Sequence, residues 1–129
     1  MTEMFAPESF FDLEGFDHGR LFRGDEPVWT ALDRLSGYLD SLFAKPWPLC
    51  GVSGAVERPL VIVDGALVDG AEVRTDGPKN SVQVFADGRR LEGAAVILPG
   101  AYLYDDRLIL GPGTVVEPGA LIKGPVVIG

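Results

Sequence analysis

From Val61 to Val127 an apolar residue returns at every sixth position: Val61, Leu67, Val73, Phe85, Leu91, Ile97, Leu103, Ile109, Val115, Leu121 and Val127, broken only by Lys79. A period of six matches neither the 3.6 of a helix nor the 2 of a plain strand. It calls for a short strand and a corner in each unit. From residue 109 the neighbouring column fills as well, with Leu110, Val116, Ile122 and Ile128, while Gly and Pro occupy the slots between. Three such units would close a coil of about 18 residues, and coils would stack at about 4.8 Å through parallel backbone hydrogen bonds. The spacing therefore predicts a mainly β, parallel coiled architecture over residues 61–129, with the sixfold column converging on one shared interior.

Upstream, residues 25–42 read as one helix. Asp25 is placed to cap it and Pro27 suits its first turn, while Val28, Ala31, Leu32, Leu35, Leu39 and Leu42 recur at helical spacing. The stretch SFFDLEGFDHGRLF before it reads as a helical turn plus loop. KPWPLCGVSGAVERP, rich in Pro and Gly, reads as a connector. The expected organisation is a helical region over 1–45, a connector over 46–60 and β coils over 61–129, the last stopping as a new unit opens and so expected to continue in a longer protein. Asp64-Gly65 and Asp69-Gly70 mark turns, and RTDGPKNS at 74–81 reads as a loop bulging from the repeat.

Composition narrows the partners. At 129 residues the chain suits one modest domain. Its 11 basic against 19 acidic side chains give a net charge of −8, a field that repels phosphate backbones and anionic lipid. Neither nucleic acid nor a membrane is an expected partner. The first residues lack the basic start and apolar run of a secretory signal, and the lone Cys50 fits a reducing compartment. A cytoplasmic protein is expected.

The segment LGPGTVVEPGALIKGPVVIG resembles the hexapeptide repeat of left-handed parallel β-helix proteins: Leu110-Gly111-Pro112-Gly113-Thr114, Val116-Glu117-Pro118-Gly119-Ala120 and Ile122-Lys123-Gly124-Pro125-Val126 follow its pattern in succession. With the aromatic, acidic start and the helix EPVWTALDRLSGYL, the chain is similar to the sugar-nucleotide branch of that family. That branch includes the carboxy-terminal half of N-acetylglucosamine-1-phosphate uridyltransferases and glucose-1-phosphate thymidylyltransferase-like proteins. The resemblance implies the left hand of the coil, acyl transfer from acetyl-CoA to an amino-sugar phosphate or sugar nucleotide, and a homotrimer. It alternatively implies a non-catalytic assembly or regulatory domain associated with a sugar-1-phosphate nucleotidyltransferase. One departure is visible: the Pro-Gly of Ile97-Leu98-Pro99-Gly100-Ala101 is offset by one from that of Leu110-Gly111-Pro112-Gly113, so residues 104–107 are expected to absorb a shift. An ordinary β-rich domain, with the period accidental, is the third reading.

Catalytic residues are not assigned. Acyltransferases of the family use a His base, and the single His, His18, precedes the repeat. One His also falls short of the set that holds zinc in the carbonic anhydrases of this fold. Asp64, Asp69, Asp105 and Asp106 sit among Gly and turn residues and read as bends, Glu117 and Lys123 as outward surface, and Cys50 as a small buried hydrophobe. The candidate phosphate-binding residues are Lys79, Arg89 and Arg90, through guanidinium forks and an ammonium point charge.

Overall fold

The structure is a computed structural model that describes residues 2–129. The chain divides into two units, one ending at Lys45 and one spanning Pro46–Gly129. In the first, α1 (Thr2–Phe5) and 3-10 turns at Pro7–Ser9, Gly19–Leu21 and Val28–Thr30 precede α2 (Ala31–Phe43). The helix expected from residue 25 thus begins at Ala31, because Pro27 is extended with ψ 145°. Asp25 caps nothing, and Thr30 occupies the cap position without a side-chain bond. Arg34 instead ties the preceding loop to α2. Its guanidinium donates to the Leu21 carbonyl at 3.1 and 2.8 Å and pairs with the Glu26 carboxylate at 2.6 Å.

The second unit holds twelve short strands: β1 (Gly54–Ala55), β2 (Leu60–Val63), β3 (Ala66–Val68), β4 (Glu72–Arg74), β5 (Gln83–Ala86), β6 (Arg89–Arg90), β7 (Ala95–Ile97), β8 (Tyr102–Leu103), β9 (Leu108–Leu110), β10 (Val115–Val116), β11 (Leu121–Ile122) and β12 (Val126–Ile128). They form four small sheets, ordered β1-β8-β11, β10-β7-β2-β3, β12-β9 and β4-β5-β6. This corrects the left-handed parallel β-helix expected over 61–129. Parallel pairing is confined to β10 with β7, β11 with β8 and β12 with β9, in three separate sheets. β2 runs antiparallel to both β3 and β7, β1 antiparallel to β8, and β4-β5-β6 is an antiparallel meander.

The cause lies in two turns. Asp64 and Gly65 take φ 49° and 76°, and Asp87 and Gly88 take 50° and 76°. Two successive positive φ values make the two-residue turn whose twist matches an antiparallel hairpin. The chain therefore reverses at both places instead of turning a corner into a further parallel coil. The supposed loop at 74–81 is also partly strand, since Arg74 ends β4 and pairs with Gln83.

Two cores result. Leu49, Val56, Ile62, Ala95, Ile97, Ala101, Leu103, Leu108 and Val116 form the larger, and Val61, Val84 and Val96 the smaller. β2 and β7 lie between them, with Ile62, Ala95 and Ile97 facing one core and Val61 and Val96 the other. A strand buried on both faces reads as an unbroken apolar run, as LVIV and AVI do. The stretch read as a connector contributes Leu49 and Val56 to the larger core.

The sixfold column does not converge on one interior. Ile97 and Leu103 are buried in the larger core while Val61, Val73 and Leu91 belong to the smaller, and Val115 and Leu121 are exposed. After residue 103 the inward positions are Leu108, Leu110, Val116, Ile122 and Ile128. The inward phase thus slips across 104–107.

Candidate functional site

Lys79 lies in the turn between β4 and β5, and Arg89 and Arg90 form β6. Lys79 sits in the 3-10 turn Pro78–Asn80 with φ 58°. Arg89 pairs with Ala86 and Arg90 with Phe85, and adjacent strand residues project from opposite faces. The Arg90 guanidinium lies 3.7 Å from the Glu92 carboxylate. On the neighbouring strands Arg74 stacks 4.1 Å from the Phe85 ring centre and donates to Glu72 at 2.9 and 3.3 Å. The hydrogen bond and charge of Arg74 hold the Glu72 carboxyl below its ordinary pKa and raise that of Arg74. This face of β4-β5-β6 is laid out as compensated pairs rather than as a cationic patch.

The other suggestive residues have structural work. In the first unit, His18 Nδ1 hydrogen-bonds the Tyr38 hydroxyl, and the Arg20 guanidinium lies 4.6 Å over the Tyr38 ring. Cys50 is exposed rather than buried. Asp105 accepts from the backbone N–H and the guanidinium of Arg107, both at 2.8 Å, and these bonds pull its carboxyl down to about 2. Asp106 accepts the Gly51 N–H on its side chain at 2.6 Å and the Trp47 indole N–H on its carbonyl at 2.8 Å. Both acids brace the segment where the apolar phase slips.

What the structure does assemble is an exposed aromatic and aliphatic face on β1-β8-β11. Ala55 and Leu121 each lie in register with Tyr102, so the three form one row across three strands. Tyr102 is 41% and Leu121 67% exposed. The 54%-exposed Tyr104 meets Tyr102 edge-on with ring centres 4.8 Å apart, and the Lys123 ammonium sits 5.2 Å from the Tyr104 ring centre. On the opposite side of the same strands, Leu103 is in the core and Ile122 packs against it. The sequence pattern lets Leu110, Val116 and Ile122 point inward, as they do, but the sixfold column that includes Leu121 does not converge on the interior at that position. The signal that locates this face is the alternation Tyr102-Leu103-Tyr104, in which polar-tipped aromatics flank a core leucine.

Among the described residues, no group of three or more His, Cys, Asp or Glu is placed to hold a metal ion, and no helix is long and apolar enough to cross a membrane. No family model, curated protein or solved structure matches the chain.

Proposed function

We propose that the Pro46–Gly129 unit is a non-catalytic assembly module that self-associates through the outer face of β1-β8-β11. The observation that carries this reading is the Ala55–Tyr102–Leu121 row, continued by Tyr104 and Lys123. Large apolar side chains exposed in register make a contiguous patch, and such patches mark interaction sites. Tyrosines suit them because each offers apolar area with a polar tip that tolerates water. A homotrimer and a sugar-1-phosphate nucleotidyltransferase as the assembled partner are the specific forms implied by the sequence resemblance. Sedimentation equilibrium of the whole chain tests the reading. Concentration-dependent association lost in Tyr102→Glu and Leu121→Asp, with unchanged circular dichroism, is the expected result; a monomer at every concentration refutes it.

Acyl transfer from acetyl-CoA to an amino-sugar phosphate is a second reading, supported by the three successive hexapeptide-like units at 110–126. It needs a base for the acceptor and donors for the developing oxyanion, and neither is assigned to a residue of this chain. Release of the coenzyme thiol in the presence of amino-sugar phosphates would establish it. No release with any acceptor would remove it.

A further inference from the structure

At the open end of the β2–β3 hairpin, where the chain before Leu60 and the chain after Val68 diverge, lies a cleft of about 420 Å³. That volume falls within the range of small-molecule sites. Its apolar wall is Leu60, Val61, Leu67 and Val68, with Val61 only 2% exposed. Two opposite charges flank it: Arg58 on the strand approaching β2 and Asp69 on the turn leaving β3.

Arg58 differs from most of the other arginines in the chain. Arg23, Arg34, Arg74, Arg90 and Arg107 each pair with a carboxylate, and Arg20 lies on an aromatic ring. Among the described residues Arg58 and Asp69 have no ion pair or side-chain hydrogen bond, with each other or with anything else. In a chain of net charge −8, an arginine without a carboxylate is a donor fork left for something else. Among the described residues Asp69 is unpaired like most acids of the chain, and what marks it is its place on the same cleft, with its acceptor oxygens open.

We propose that this cleft binds a small zwitterionic ligand of the amino-acid type, its carboxylate on the Arg58 guanidinium, its ammonium on the Asp69 carboxylate, and its aliphatic part against Leu60 and Leu67. The wall supplies the apolar contact, and the separated charges supply orientation, because each end of the ligand finds only one complementary group. The site lies within the Pro46–Gly129 unit and is independent of the self-association proposed above.

The test is amide chemical-shift mapping of the whole chain titrated with L-leucine. The controls are 4-methylpentanoate, which lacks the amine, and isopentylamine, which lacks the carboxylate. Saturable shifts clustered at 58–61 and 67–71 are expected, with affinity on the order of 1 mM. The two controls, and the Arg58→Gln and Asp69→Asn variants, should each bind at least about tenfold more weakly. Both residues are exposed, and unchanged spectra away from the cleft confirm folding of the variants. The proposal is overturned by no shifts at tens of millimolar leucine, by shifts elsewhere, by equal binding of either control, or by binding that survives both substitutions.

Discussion

The Trp47 indole N–H donates to the backbone carbonyl of Asp106 at 2.8 Å, joining residues 59 positions apart. The Asp106 carboxylate reaches back to the Gly51 N–H at 2.6 Å, so one residue fastens the 46–51 stretch to 104–107 by two bonds. This is where the inward phase moves from the Leu103 column to the Leu110 column. The Asp106 carbonyl also accepts the Leu108 N–H at 2.8 Å, so the indole fills the second lone pair of an acceptor in the shifting segment.

Replacing Trp47 by Phe keeps most of the ring but deletes that donor. A loss of about 1 kcal/mol is expected in denaturant unfolding. An unchanged midpoint would show that the carbonyl is satisfied without the indole.

The Asp105–Arg107 brace predicts an acid limb. The folded pKa of Asp105 lies near 2, below its ordinary value of 3.8. The stabilisation is therefore present in full above about pH 4 and is lost as pH falls toward 2. Asp105→Asn should unfold more easily than the wild type at pH 7, and the two stability curves should converge as the solution is acidified below pH 4. Curves that stay parallel would remove the brace from the account.

Gly124 packs where a β-carbon would lie 2.5 Å from the Arg107 carbonyl oxygen and 3.2 Å from the Asp105 side chain. Backbone, not a flexible side-chain end, stands in the way. Gly124→Ala should cost about 1–3 kcal/mol by forced displacement, whereas Gly51→Ala, with nothing within 4 Å and only its positive φ of 82° to accommodate, should cost about 1 kcal/mol. Thermal unfolding of the two variants decides; equal losses would contradict the close packing.

Copies of a chain carrying −8 repel one another at range. Association through an apolar face should therefore tighten as salt rises and the screening length falls toward about 8 Å. Sedimentation across an ionic-strength series checks this. Association that weakens with salt would point to ion pairing instead.

Part of this fold was legible in the sequence. The Asp64-Gly65 pair announced a turn, and the offset between the Pro-Gly of 99–100 and that of 112–113 located the shift at 104–107. Asp87-Gly88 carries the same chemistry, but Phe85 and Leu91 on either side of it fit the sixfold column and mask the turn. Spacing alone does not distinguish a hairpin from a corner; the sign of φ at the turn does. Arg89 and Arg90 are adjacent in sequence, and adjacency on a strand separates side chains. Arg58 carries no signal in the sequence, because its lack of an ion pair and its place on a cleft are set by the fold.

Leu103 and Leu121, three units apart in one sixfold column, face opposite ways: Leu103 is 1% exposed and Leu121 67%. Denaturant unfolding of Leu103→Ala and Leu121→Ala tests it directly. The account predicts a loss of about 2–5 kcal/mol for the first and less than about 0.5 kcal/mol for the second, measured on dilute, unassociated protein. Similar large losses for both would mean that the column shares one interior after all, and would contradict it.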